Sequence, residues 1–435
     1  MRDTLRLEQA NIPTVTIVSS DFIELARYTS SSLGMPDQCF VEIQHPIGGL
    51  SPDEIAVKVR QVFPEILHAL TEWRPSPTDD RTDRSPYPAE VITFKGTVPE
   101  VQSLFLERGL SVGLPFVPPT RDLVREMLAG TSHWPDEVVW QGIPPRMGIV
   151  TVELVAACAA MAGCKPSYIP VLLAALEAMK DPVIRYTHIA TTTGTESLLV
   201  LVNGPIVREI ELATGTGAAG LCYHANASIG YAIGLIAKIV GGSKPPDRDK
   251  STMASPADLL HYVFGENESE SPWESYAVEH GFNKTDDVVT VKGVYQSLDV
   301  SEHNSPTGEG ILNYTARSIN QPYTYPLRHE PVLLGWCPEH AAVLARDGYT
   351  KDSIRHYLWQ HARYPSTVYA EPAWERGKCG PTEDFPDLGF GSDTLLPIVA
   401  RPEDFQMIVC GGAGKHSQFW PGPKAMASRL VDRWR

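Results

Sequence analysis

Residues 13–54 read PTVTIVSSDFIELARYTSSSLGMPDQCFVEIQHPIGGLSPDE. PTVTIV at 13–18 is a β-branched run that suits a buried strand. Ser19, Ser20 and Asp21 follow as helix-capping residues before FIELARYTSSSLG, which Gly34 ends. CFVEIQ at 39–44 is a second strand, running into HPIGG at 45–49. Ser51, Pro52 and Glu54 then supply an N-cap, a first-turn proline and a capping-box acid for a helix that runs to Trp73. Strand, helix, strand, helix is the mark of an α/β unit with a parallel sheet.

RPSPTDDRTDRSPYPA at 74–89 is proline-rich and charged, and reads as a linker. It divides the chain into an N-terminal α/β domain over 1–74, a linker over 75–97 and a larger α/β domain over 98–435. In the larger part, helices are expected over 98–109, after Thr120, over 151–163 and 168–180, from the 221 region to 240, and near 338–347 and 351–363. Strands are expected at 198–202, 206–212, 288–294, 393–400 and 405–410. The predicted fold is α/β, with parallel or mixed sheets flanked by helices and at least two lobes. No repeat of fixed period is visible in the sequence.

The 435 residues are 43% hydrophobic and 20% charged, the composition of a globular chain with enough apolar surface to fold. A net charge of −15 disfavours binding to a phosphate backbone or an anionic membrane, so neither nucleic acid nor membrane is an expected partner. The longest apolar stretch, Leu221 to Val240, is broken by His224, Asn226 and Lys238 and is not a membrane span. Cys39, Cys158, Cys164, Cys222, Cys337, Cys379 and Cys410 are scattered and odd in number, which argues against a disulfide framework or zinc knuckle. With no apolar leader in MRDTLRLEQA, the expected location is cytoplasmic.

Four loops carry residues suited to chemistry. GTGAAG at 215–220, with Gly215, Gly217 and Gly220, fits G-x-G-x-x-G and could hold an anion on backbone amides. The acid-ended strand that a dinucleotide fold needs is missing, so NAD is not expected. GGAGKHS at 411–417 offers Gly411, Gly412, Gly414, Lys415 and His416 for a carboxylate or phosphate. Val409 and His416 occupy positions where an ATP-binding phosphate loop needs Gly and Ser/Thr, so ATP is not expected either. In FGENESESPWESYAVEH at 264–280, Glu266, Glu268 and His280 could transfer protons or ligate a hard metal; the plainer alternative is an acidic solvated loop. Cys222 and His224 open a helix where a thiol of low pKa could form, and Asn226 follows as a polar positioner. His45, in HPIGG, sits just after a strand, where α/β sheets place ligands. Cys337 and His340 are read as helix capping and packing.

Several stretches together resemble one family, that of the Sec/Cys-Gly-Ser-Cys (UGSC) motif. They include IPTVTIVSSDF (12–22), HPIGGLS (45–51), FLERGLSVGLPFVPPT (105–120), HANASIGYAIGLI (224–236), CPEHAAVLARDGYTKDSIRHYLW (337–359) and GGAGKHS (411–417). The resemblance implies a thiol- or selenol-dependent redox enzyme, distantly like the B components of glycine and proline reductases. The namesake motif itself does not occur in these residues. It lies upstream of them, belongs to a partner chain, or has been lost.

Three functions are therefore open. One is an enzyme acting on a small anionic or carbonyl-bearing substrate by redox or C–X bond-cleaving chemistry. Another is a metal-dependent lyase or hydratase using the Glu/His loops. The third is a subunit that needs a thiol- or selenol-bearing partner chain. A homo-oligomer is the expected assembly.

Overall fold

The computed structural model describes residues 12–32, 35, 37–73, 89–321, 330–375, 380–382, 385–422 and 425–435, with isolated residues before them. Gly34, Cys379 and residues 74–88, which include most of the expected linker over 75–97, lie outside the described residues.

The N-terminal strands and helices follow the predicted order. β1 (Thr16–Ser19) leads through a turn to α1 (Ile23–Ser32), and β2 (Phe40–Ile43) to α2 (Pro52–Thr71). β1 and β2 pair in parallel. The capping box on α2 is present: Ser51 accepts from the Glu54 amide, and the Glu54 carboxylate takes the Ser51 amide at 2.8 Å. Phe63, Leu67 and Leu70 form an exposed apolar row on this helix.

The larger part begins with α3 (Val98–Glu107) and α4 (Arg121–Leu128), then the hairpin of β3 (Val138–Ile143) and β4 (Gly148–Thr151). α5 (Val152–Met161) and α6 (Ile169–Met179) form the expected apolar helix pair, and every residue of α6 is buried. β5 (Ser197–Asn203) follows, then α7 (His224–Leu235), β6 (Tyr262–Gly265), β7 (Val288–Val294) and β8 (Leu298–Val300). After α8 (Gly308–Ser318) come β9 (Val332–Trp336), α9 (Pro338–Arg346), α10 (Lys351–His361), β10 (Arg363–Pro365) and β11 (Leu395–Pro397). β12 (Phe405–Val409), β13 (Ser417–Trp420) and β14 (Met426–Leu430) complete the fold.

Two four-stranded mixed sheets organise this part, in the orders β14-β7-β5-β6 and β12-β9-β13-β8. In each, an edge strand runs parallel to the next (β6 with β5, β12 with β9) and the other pairings are antiparallel. The sheets pack face to face through Leu199, Leu201, Phe264, Leu333, Ile408 and Trp420. Alternate residues on the same strands face outward. Leu198, Val200 and Val202 pack under α5, α6 and α7, while Leu334, Trp336 and Met407 pack under α8, α9 and α10. The result is four layers, helices–sheet–sheet–helices, and it agrees with the expected α/β class.

The two sheets share one connectivity. Each half builds three strands of its own sheet and sends its next strand into the other: β7 continues into β8, and β13 into β14. The crossing segments touch where the Tyr295 amide donates to the Pro421 carbonyl at 2.9 Å. A sequence repeat is not visible because only buried patterning is shared, and many hydrophobic sequences satisfy it.

One strand is overturned. IVREIEL at 206–212 forms a single helical turn, Ile206–Glu209. Gly204 at φ +95° turns the chain out of β5, and Pro205 (φ −55°, ψ −34°) starts helical geometry. Ile206, Val207 and Ile210 then meet the core at helical spacing. GTGAAG therefore does not directly follow a strand. The strand expected over 393–400 is confined to Leu395–Pro397.

Candidate functional site

The parallel strand pairs of both sheets end at the same place, and three of the four singled-out loops are tied together there. The Gly265 amide donates to the Ala213 carbonyl at 3.0 Å, the Gly411 amide to Thr214 at 2.9 Å, and the Asn267 amide to Val409 at 2.8 Å. The Asn267 side chain also reaches the Gly411 carbonyl at 3.2 Å. Gly412 packs so closely on Thr216 that a Cβ there would lie 2.0 Å from the threonine hydroxyl. Ligands of open α/β sheets sit outside such strand ends.

Glu266 and Glu268 flank Asn203, the last residue of β5. The Asn203 amide nitrogen donates to Glu266 Oε2 at 2.7 Å and to Glu268 Oε1 at 2.8 Å. The Gly204 amide adds a 3.2 Å bond to Glu268, and the Tyr276 amide a 2.8 Å bond to Glu266 Oε2. Glu266 is only 3% exposed, and its other oxygen, Oε1, is buried without a partner. Burial raises its pKa to about 7, outweighing the opposing pull of the Lys351 ammonium and the Asn203 and Tyr276 donors. A carboxyl in this state exchanges its proton near neutrality.

The other expected residues are distributed as follows. Gly215 and Gly217 shape the loop: their carbonyls accept from the Ala218 and Gly220 amides at 3.0 and 2.9 Å. Asn226 is buried and joins that loop to β6. Its Oδ1 accepts from the Ala213 amide, and its Nδ2 donates to the Ala218 and Val263 carbonyls. Cys222 is exposed. His224 is exposed and meets the Tyr168 hydroxyl at 3.2 Å. His280 is exposed and stacks on Tyr276 with ring centroids 3.9 Å apart. Lys415 donates to the His303 carbonyl at 3.0 Å and His416 meets Asp299 at 2.9 Å, so both are engaged with β8 and the segment that follows it. The Gly414 amide donates to Glu339 at 2.8 Å. His45 belongs to the N-terminal domain, where its Nδ1 meets the Ser19 hydroxyl at 3.3 Å. Among the described residues, no group of three His, Cys, Asp or Glu is arranged to hold a metal ion.

Sequence reasoning left out a second set of residues beside Glu266. Cys337, the N-cap of α9, is 2% exposed. The His340 and His416 amides near its sulfur favour the thiolate, although burial outweighs them and raises its pKa, and the Cys337 amide donates to the Ser417 hydroxyl at 3.1 Å. The same hydroxyl meets His340 Nδ1 at 2.8 Å, and His340 Nε2 donates to the Glu302 carbonyl at 2.8 Å. That carbonyl can only accept, so Nδ1 is the acceptor nitrogen. Cys410 follows β12, is 8% exposed, and has its thiol pKa raised by burial and by neighbouring Glu266 and Cys337.

The fold and this site define an α/β chain with a buried carboxyl–thiol cluster between two sheets. Residues 1–72 match the sequence model of the UGSC family, and the chain carries a UGSC-family domain at its N-terminus. No curated protein and no solved structure matches the chain. No helix among the described residues is long and apolar enough to cross a membrane.

Proposed function

We propose that this chain is an enzyme acting on a small anionic or carbonyl-bearing substrate by redox or C–X bond-cleaving chemistry. Its active site is the meeting point of loops 213–217, 266–270 and 411–412. The observation that carries this reading is Glu266: nearly inaccessible, held on one oxygen by two N–H donors, unpartnered on the other, and raised to about 7. Carboxyls with these properties cluster at catalytic sites because a proton must be both held and released at working pH. Glu266 takes the proton from substrate and returns it. Asn203 keeps Glu268 beside it without collapse of the carboxylate pair. The glycine-lined loops admit a ligand close to backbone amides.

Calorimetric titration with a panel of small 2-oxo and 2-hydroxy carboxylates tests the reading. Binding should be accompanied by proton uptake or release that centres near pH 7 and disappears in Glu266→Gln. A panel that fails to bind, or a Glu266→Gln variant with unchanged proton linkage, overturns it.

A further inference from the structure

We propose that Cys337 and Cys410 form a reversible dithiol–disulfide couple, with Cys337 as the attacking thiol and Cys410 as the resolving one. This deepens the redox branch of the function proposed above and rests on that reading for its place in turnover, although the couple can be read out alone.

The geometry comes from the sheet. β12 and β9 are parallel in the register Ile408 to Gly335 and Val409 to Trp336, and the next step sets Cys410 beside Cys337. The ladder extends that far, because the Cys410 amide donates to the Trp336 carbonyl at 3.0 Å. Neighbouring strands lie about 4.8 Å apart. That spacing falls within the roughly 4.4–6.8 Å Cα separation that a disulfide spans. Alternation points both side chains the same way. Leu333, Ile408 and Cys410 face the inter-sheet layer, Gly335 lies against Cys410 and Trp420, and the extended backbone of Cys337 (φ −66°, ψ 152°) carries the same alternation one step further. The Cys410 sulfur leans over β9, only 2.6 Å from where a Gly335 Cβ would stand, so glycine there leaves room for the thiol.

The two sulfurs are unlike. Cys337 sits at the N-cap of the nine-residue helix α9, with the amides of His340 and His416 near its sulfur. These donors and the helix N-terminus stabilise a developing thiolate. Cys410 lies in the apolar inter-sheet layer with Trp420 and Ile408 and lacks that support. Its neighbour Glu266 has a buried, unpartnered Oε1, to which the proposal assigns the proton that Cys410 loses. Above the pair, the strand end opens into Gly411 and Gly414, where an added Cβ would meet nothing within 4 Å.

The chemistry balances with an organic disulfide as oxidant. The Cys337 thiolate attacks one sulfur of RSSR, forming a protein–SR mixed disulfide and releasing RS−, which takes the proton lost by Cys337. Cys410, losing its proton to Glu266, attacks Cys337 and expels the second RS−, which recovers that proton. Two thiols lose two electrons and two protons, and RSSR becomes two RSH. Running the couple backward with an external dithiol reduces it again.

The test incubates the full-length protein with hydroxyethyl disulfide, blocks free thiols with iodoacetamide, and maps peptides by mass spectrometry. The expected product is a Cys337–Cys410 cross-linked pair lacking two hydrogens and reversed by dithiothreitol. Cys410→Ser should accumulate hydroxyethyl disulfide on Cys337, and Cys337→Ser should leave Cys410 unmodified; Cys410→Ala repeats the first variant if serine disturbs folding. Alkylation of both thiols as separate free cysteines after oxidant, with only exposed Cys222 modified, overturns the couple. A reversed order of reactivity between the single variants overturns the assignment of roles. Substrate is not needed in this assay, so loss of the cross-link together with intact ligand-linked protonation of Glu266 refutes the couple alone. A cross-link that forms without any such protonation refutes the active-site reading instead.

Discussion

Replacing Glu266 by Gln removes a carboxyl whose pKa the fold raises to about 7. Its pKa rises from 4.5 to about 7 because burial at 3% exposure outweighs Lys351 and two N–H donors. Below pH 4.5 the residue is protonated in both folded and unfolded chains and contributes no pH dependence. Between 4.5 and about 7 the unfolded chain releases the proton while the folded one retains it. The unfolded state then binds fewer protons, so stability falls as pH rises. A window of about 2.5 pH units at about 1.4 kcal/mol each costs the wild type about 3 kcal/mol by pH 7, with no further change above it. Gln keeps an oxygen for the Asn203 and Tyr276 donors and carries no proton equilibrium. Urea unfolding of both proteins at about pH 5, 6, 7 and 8 measures the difference directly. Glu266→Gln should gain on the wild type by about 2–3 kcal/mol across that range, most steeply below pH 7. A wild-type-minus-variant difference that stays constant with pH would falsify the assignment of a raised pKa to Glu266.

Further expectations concern its neighbours. Asn203→Ala leaves Glu266 and Glu268 without their shared donor and should cost about 1–3 kcal/mol in the same urea assay; an unchanged midpoint would mean that this amide does not bridge the carboxylates. Lys351→Met removes the nearby cation that opposes burial, so Glu266 should titrate above its present value of about 7. Infrared titration of the ¹³C-labelled glutamate carboxyl reads this, and an unmoved midpoint contradicts it. Gly412→Ala drives a methyl against Thr216, with the nearest atom 2.0 Å away, and should separate loops 213–217 and 411–412. A loss of about 1–3 kcal/mol together with weaker panel binding is expected; wild-type stability and affinity would show that the loops need not touch.

How much of the site was legible is best judged residue by residue. Glu266 and Glu268 drew attention as acids just past an apolar run, and chemistry at strand ends is a local signal. Their bridge, Asn203, is 63 residues from Glu266 in sequence and was invisible, because nothing local marks an amide that satisfies two distant carboxylates. Lys415 and His416 resembled anion holders by residue type alone, yet their contacts are with His303 and Asp299, on a neighbouring segment that periodicity cannot identify. Cys337 reads as a capping and packing residue and Cys410 as one of several scattered thiols, since 73 positions of chain separate them and only the β9–β12 register sets them side by side. IVREIEL was misread because β-branched residues favour strands on average, whereas Gly204 and Pro205 impose a helical turn on this one.

By itself, the amino-acid sequence determined the local elements: the capped helix after Ser51, the apolar pair α5 and α6, and the buried runs of β5, β7 and β12. Period, caps and turn residues act within a few positions and leave a readable pattern. Tertiary structure alone decided that β8 and β14 exchange sheets, that three loops meet at one strand end, and that two thiols and a carboxyl share one buried cluster. Those outcomes depend on which hydrophobic face packs on which. Burial is non-directional and roughly proportional to area, so many pairings satisfy the same local pattern until the whole chain selects one.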